Sequence, residues 1–331
     1  MKVRDVFILF VSGSLLLSCG DYEVAPEPEG DPSGAIIDSE VSPVAEKTFT
    51  LRLGIYVVDG NGAVVPGLTK QNFSIETVRM GEQDSIIFEN VEVAGTKTNS
   101  KGNYSASLLL DQTESIRDTD PENRRIQAAR IFGESLGARD YALLSSFSAK
   151  YAPPYVRLHT EYTQDTSVLN AGLDELLTLP DGGTPLYQAA YYMVDHTANN
   201  APATNKAIVL FTDGDDTEGG TSFSELTAYA KEHDVEIYTV GLSWRVKIGV
   251  LSAIARETGG SFLWAQDARQ LISGFGTLGK LLNGNADYYE TKWQATQIGN
   301  GWSPSDPVVV RVIVRLPNGD RFTVPYEVLA P

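Results

Sequence analysis

The sequence predicts an α/β chain: a doubly wound, mostly parallel sheet with a flanking β-sandwich-like domain made from its N- and C-terminal segments. Two observations predict it. Between residues 108 and 282 short aliphatic runs alternate with helical patterns, the order that builds a parallel sheet because each crossover needs a helix. Outside that stretch the patterning changes to period two, with Phe49, Leu51, Leu53, Ile55 and Val57 on one side and residues 308–316 on the other. Neither flank holds enough strands for a stable sheet alone, so the two are expected to pair. With 331 residues, 42% of them hydrophobic and 21% charged, the chain is long enough for one large domain and a smaller one.

The elements follow in order. Residues 1–18 start with Lys2 and Arg4, continue through an apolar run from Val6 to Leu17 and end on Ser18, the pattern of a secretory signal peptide. That run is shorter than the ~20 residues a membrane span needs. Leu16-Leu17-Ser18-Cys19 resembles the bacterial lipobox, which implies lipidation of Cys19, the only cysteine. A single cysteine leaves no internal disulfide, so the fold relies on its core. Loss of Lys2, Arg4 and Asp5 with the signal makes the formal charge of -17 one unit more negative, which argues against nucleic acid as a partner. Residues 19–46, rich in Pro, Gly and acid and without periodicity, read as a lipidated flexible tether.

Residues 47–103 form a β-rich segment: strand 49–57, the turn Asp59-Gly60-Asn61-Gly62, and strands at 73–78 and 86–93. The α/β alternation occupies 104–283. Strand 108–110 leads to a helix over 121–136, capped by Asp120 and opened by Pro121, with Ile126, Ala129, Phe132 and Leu136 on one face. Strands at 141–147 and 155–160 precede helices near 168–177 and after Thr184. Strand 207–211 is followed by a helix over 223–233 behind a Ser222/Glu225 capping box. Strand 235–240, helix 250–258 closed by Gly259-Gly260, strand 262–264 and a last helix over 271–282 complete the series. Residues 284–331 return to β patterning, with strands 308–316 and 322–328 about an Asn318-Gly319 hairpin turn.

In a doubly wound sheet, ligands sit outside the carboxyl ends of the strands where strand order reverses. Three loops are expected at such ends: Asp111-x-Thr113-x-Ser115 after three leucines, Gly182-Gly183-Thr184-Pro185, and Thr212-Asp213-Gly214-Asp215-Asp216 after Ile208-Val209-Leu210-Phe211. Alone, each is ordinary turn and cap chemistry. Together they offer two carboxylates and three hydroxyls, a set of hard oxygens suited to Mg²⁺ or Mn²⁺. Because hydroxyls are neutral, the ion would keep most of its charge and draw an anionic ligand to its open position.

On those three loops, residues 104–283 resemble the von Willebrand factor A-type domain with its metal-ion-dependent adhesion site. That motif is usually Asp-x-Ser-x-Ser; Thr113 replaces the first serine and keeps the hydroxyl. The resemblance implies Thr113, Ser115 and Thr184 as hydroxyl ligands of Mg²⁺ or Mn²⁺, with Asp111 and Asp213 direct or water-bridged. It implies a non-enzymatic module that engages the Asp or Glu carboxylate of a protein partner, in adhesion or envelope assembly. It also implies a last helix, with Leu271, Ile272, Phe275, Leu278 and Leu282 on its apolar face, that slides when the metal gains a ligand. With the lipid anchor, the expected location is the bacterial cell envelope, in the outer membrane because Gly20 rather than an acid follows Cys19. Asp118 is followed by Thr119, which argues against a second metal, and Asp215, Asp216 and Glu218 read as an exposed acidic loop.

Two rivals remain. A haloacid-dehalogenase-like phosphohydrolase would use Asp111 as nucleophile, the Asp213 loop for metal and Lys206 as its lysine, but would leave Ser115 and the Gly-Gly-Thr-Pro loop idle. A structural envelope protein would use a metal only to staple loops. No glycine-rich turn follows the first central strand, which argues against a dinucleotide enzyme. His159, His196 and His233 are scattered, without a matching Ser or Cys constellation, and read as surface or packing residues. Trp264, Trp293 and Trp302 read as core or sheet-edge aromatics.

Overall fold

The computed structural model describes residues 30–331 apart from 77, 80–84, 98–100, 277, 285, 300–302 and 304. The signal segment, Cys19, the start of the tether and Trp302 lie outside the described residues. The N-terminal flank contains β1 (Ser33–Ala45), β2 (Thr48–Val58), β3 (Phe73–Ile75), β4 (Val78–Arg79) and β5 (Ser85–Lys97). The middle runs β6 (Tyr104–Asp111), α1 (Ile116–Thr119), α2 (Arg124–Glu134), β7 (Tyr141–Phe147), β8 (Val156–Leu158), α3 (Thr166–Asp174), α4 (Leu186–Asn200) and β9 (Asn205–Thr212). It continues through α5 (Phe223–Glu232), β10 (Val235–Leu242), α6 (Ile248–Thr258), β11 (Phe262–Ala265), α7 (Ala268–Gly276) and α8 (Leu278–Leu282). The chain then forms β12 (Asp287–Ile298), β13 (Pro307–Arg315) and β14 (Arg321–Leu329).

The strands of the middle region are parallel in the order β11-β10-β9-β6-β7, with β8 antiparallel at the edge. Being covered on both faces, β6 is buried at every residue, including Ser105 and Ser107, and the inner part of β9 is a continuous apolar run, as expected of central parallel strands. From β6 the chain goes to β7 on one side and only later to β9 on the other, so strand order reverses between β6 and β9. Their registers match Leu110 to Phe211, which places Asp111 beside Thr212 at the carboxyl ends.

The flanks depart from expectation in two ways. Residues 33–45, read as part of a flexible tether, form β1, which pairs with β2 along its length and with β11 through Ala35↔Leu263 and Ile36↔Phe262. Composition hid this because ladder bonds use backbone groups, while Ala35 and Ile36 are the only fully buried apolar side chains of β1. The flanks do pair with each other as expected, but their larger sheet is not separate from that of the middle region. β1, β2, β12, β5 and β4 extend the central sheet to eleven strands, and only β14-β13-β3 form a separate antiparallel sheet. Val310, Val312, Val314 and Val324 of that small sheet pack in one core with Leu51, Leu53 and Ile55 of β2 and Trp293 of β12.

Strand β12 was not foreseen. Its buried side chains alternate as Tyr289, Thr291, Trp293 and Ala295, a face without Val, Leu or Ile. It lies between β2 and β5, so a C-terminal strand is hydrogen-bonded to two N-terminal ones.

Several helix ends differ in detail. The helix expected over 121–136 begins at Arg124, behind Asn123 in a left-handed conformation. Asp120 still serves it, accepting from the amides of Arg124 (2.7 Å) and Arg125 (3.1 Å). The Ser222/Glu225 capping box is present, and Gly259 closes α6 with φ 83°. Gly260 answers a different need: a Cβ there would stand 2.1 Å from the Ile237 carbonyl oxygen. Gly260→Ala is therefore expected to cost about 1–3 kcal/mol as the strand and helix are pushed apart, read as a lower urea midpoint.

Candidate metal centre

At the end of β6, the fully buried Asp111 carboxylate accepts from the Thr113 amide at 2.9 Å on Oδ1 and from the Thr212 hydroxyl at 2.7 Å on Oδ2. The first bond bends the chain into a turn that brings Thr113 Oγ1 within 3.2 Å of Ser115 Oγ. Ser115 Oγ donates to Asp213 Oδ1 at 2.6 Å, and the Thr119 hydroxyl donates to Asp213 Oδ2. Thr184 arrives on the glycine loop, where the Gly182 carbonyl takes the Glu114 amide and the Gly183 carbonyl takes the Ala149 amide, both at 3.0 Å. Its amide and carbonyl are both bonded to Thr217. A Cβ at Gly214 would stand 3.7 Å from Thr184 Oγ1 and 3.9 Å from Ser115 Oγ, so both hydroxyls face the same glycine.

The structure thus brings Asp111, Thr113, Ser115, Thr184 and Asp213 together at the strand-order reversal. Sequence reading missed Thr119 and Thr212. Thr119 lies one turn after Ser115 on α1, which was not foreseen, so the i, i+4 relation was invisible. Thr212 stood inside a quoted loop motif but was given no role there; it is the last residue of β9.

Two buried carboxylates share this site, and neither makes an ion pair with a basic residue among the described residues. Asp111 is accordingly pushed up to about 6, first by burial and then by the charge of Asp213, against the pull of the Thr113 and Thr212 donors. Among the described residues no three His, Cys, Asp or Glu side chains gather as a metal cluster, so the donors here are two acids and hydroxyls. That set suits a hard divalent cation such as Mg²⁺ or Mn²⁺ better than a soft one. A hydroxyl that donates to Asp213 also keeps lone pairs for a cation.

Neighbouring acids are occupied elsewhere. Asp118 is exposed and 3.8 Å from Arg245. Asp215 accepts from the Lys247 amide at 3.1 Å and pairs with its Nζ at 3.2 Å. Asp216 accepts from the amides of Tyr187 and Gly219. The last helix is divided into α7 and α8, and α7 packs on α2 through Phe275 and Phe132, whose rings lie 6.2 Å apart.

The histidines are not all isolated. His159 Nε2 lies 2.8 Å from Ser146 Oγ and Nδ1 lies 2.9 Å from Glu175 Oε2. Ser146 is fully buried on β7, so this chain braces the sheet edge rather than presenting a nucleophile. Burial holds the His159 pKa below its ordinary value, partly offset by Glu175. The folded state therefore resists protonation there, and its stability contribution, complete above about pH 6.5, is lost as pH falls through the folded value. His159→Gln is expected to flatten the fall in melting temperature between about pH 7 and about pH 5. Parallel curves for the two proteins would count against it.

Lys206 donates to the Ala198 carbonyl at 2.9 Å from the start of β9, the opposite end of the strand from Asp213. The phosphohydrolase reading thereby loses its lysine.

Fold and site together define a Rossmann-like α/β domain with an oxygen-lined centre at the strand-order reversal. The sequence profile of the von Willebrand factor type A domain matches residues 107–275, just over half of the chain, and the chain belongs to that family. No curated protein matches it. Among solved structures it is similar to a von Willebrand factor type A protein from Catenulispora acidiphila, at 10% identity, with 91% of this chain and 74% of that one covered and a TM-score of 0.46. It is similar to proximal thread matrix protein 1 from the mussel byssus, whose MIDAS motif is occupied by zinc, at 17% identity, 56% and 48% coverage and a TM-score of 0.44. It is also similar to the pilus adhesin SpaC from Lactobacillus rhamnosus GG, at 11% identity, 91% and 48% coverage and a TM-score of 0.44. The chain spans about half the length of the mussel and Lactobacillus proteins.

Proposed function

We propose that this chain is a lipid-anchored envelope protein whose A-type domain binds a protein partner through Mg²⁺ or Mn²⁺. The observation that carries the reading is the pair of buried, unneutralised carboxylates, Asp111 and Asp213, ringed by hydroxyls at the carboxyl ends of β6 and β9. Thr113, Ser115 and Thr184 would hold the cation, with Asp111 and Asp213 direct or through water, and the ion would supply a positive site for an Asp or Glu carboxylate. Asp111 orients the first loop through the Thr113 amide, and Thr212 fixes the second against it. Thr119 and Ser115 hold the Asp213 carboxylate by both oxygens.

Calorimetric titration of Mg²⁺ into the chain from residue 20 onward is expected to show one saturable site, absent from Asp213→Ala. Asp213 is buried, but its loss relieves the repulsion on Asp111, so the metal-free variant should melt no lower than the parent. Identical weak heats from both proteins would remove the metal from this reading. No helix among the described residues is long and apolar enough to cross a membrane. Attachment is assigned to Cys19, and Cys19→Ser is expected to release the protein from washed membranes into the soluble fraction.

A further inference from the structure

The floor beside the metal centre is open. A pocket of about 120 Å³ starts at Gly214, Asp215 and Asp216, next to Asp213, and is walled by Leu186 and Tyr187 of α4 and by Lys247, Val250 and Leu251 at the start of α6. Lys247 and Val250 also line a wider, shallower groove of about 470 Å³, which runs on between Phe223 of α5, Ala253 of α6 and Pro307 of β13 to Glu327 of β14. The two hollows share Lys247 and Val250 as walls, so they adjoin as one channel from the metal loops toward the small sheet.

At the metal end the Lys247 ammonium is paired with Asp215 at 3.2 Å, so the positive charge that draws an acidic ligand there would come from the cation itself. At the far end Glu327 is half-buried, and its carboxylate makes no ion pair or hydrogen bond among the described residues. It lies against the first turn of α6, where a Cβ on Gly249 would stand 2.0 Å from Oε2. Burial pushes its pKa up, and Arg256, the one charge opposing that rise, is bonded to the Glu327 backbone carbonyl rather than to the carboxylate. A half-buried carboxylate without a partner costs free energy that a bound cation would recover.

We propose that this channel is the ligand groove of the metal centre, and that it takes an extended peptide segment whose acidic residue sits on the metal while a Lys or Arg further along reaches Glu327. The proposal rests on the metal-dependent reading above. It gives the β3-β13-β14 sheet a part in binding, as one wall of the groove, and it makes Glu327 a specificity residue that never touches the metal. Apolar side chains between the two charges would lie over Val250, Ala253 and Phe223.

The test uses the chain from residue 20 onward with fluorescent peptides in saturating Mg²⁺. One set carries a single Asp with one Arg placed about two to six residues away, to span the groove at ~3.3 Å per extended residue. A matched set carries Gln in place of Arg. The expected result is that the best Asp-and-Arg peptide binds at least about tenfold tighter than its Gln counterpart, equivalent to about 1.4 kcal/mol, and that Glu327→Gln erases this ratio while Mg²⁺ affinity is unchanged. Mg²⁺-dependent binding of both sets with equal affinity, or a ratio that survives in Glu327→Gln, overturns the groove and leaves the metal centre standing. No peptide binding from a protein that still titrates Mg²⁺ has the same meaning. A protein that fails to titrate Mg²⁺ defeats the metal reading itself, and the groove with it.

Discussion

Removing residues 30–46 is expected to leave a chain that does not reach a soluble folded state. Strand β1 joins the antiparallel half of the large sheet to its parallel half, pairing with β2 on one side and with β11 on the other. Without it, β2 and β11 both become open edges, and their unpaired backbone groups invite association between molecules. The deletion also strips the fully buried Ala35 and Ile36 from the core, and burial of an isoleucine alone contributes about 1.5–3 kcal/mol. Each lost or exposed backbone bond adds about 1 kcal/mol, against a total stability on the order of 5–15 kcal/mol. Soluble yield and urea unfolding of the chains starting at residues 30 and 47 measure the effect. A shortened protein that unfolds cooperatively at the parent midpoint would show that β1 is dispensable and that these residues are a tether after all.

The second large effect is expected at Arg125. Its side chain and that of Asp120 are both fully buried and pair at 2.9 Å. The guanidinium also donates to Asn123 Oδ1 at 3.0 Å and to Gln112 Oε1 at 2.7 Å. Arg125→Met would leave the Asp120 carboxylate buried with only backbone donors, and breaking one side of such a pair costs about 3–5 kcal/mol. Adding Asp120→Asn removes the stranded charge, so the double variant is expected to regain part of that loss. Gln112 stands between Asp111 and Thr113 and anchors the first loop to the carbonyls of Leu176 and Thr178. Arg125→Met should therefore also weaken Mg²⁺ binding by roughly 10-fold, as loss of an outer support typically does. An unfolding free energy from urea titration within about 1 kcal/mol of the parent's would contradict this account.

The α/β middle was legible because two periods are hard to mistake: continuous aliphatic runs such as residues 208–211, and helix faces framed by caps such as Ser222 and Gly259. The candidate site was legible for a related reason. In a doubly wound sheet the loops that meet are those at the carboxyl ends beside the reversal, so residues far apart in sequence are placed together by topology alone. What escaped detection was structure held mainly by ladder bonds. Strand β1 has few core side chains, and β12 buries Tyr, Thr, Trp and Ala, so neither stood out by hydrophobicity. Asp120 and Arg125 escaped because burial of an ion pair depends on where α2 lands against the sheet, which no local pattern encodes.

The direction of β1 has a consequence for how the molecule stands on a surface. Ala35 lies opposite Leu263 in an antiparallel pair, so Ser33 enters the sheet beside the carboxyl end of β11, the same end at which β6 and β9 present Asp111 and Asp213. A lipid attached at Cys19 would thus pull on the face that carries the metal loops rather than on the opposite face. Residues 20–32 reach at most ~45 Å when fully extended, at ~3.3–3.6 Å each. If the chain is anchored and binds as proposed, that mooring would hold the metal loops within reach of its own membrane and favour partners that share that membrane over those arriving from a facing cell.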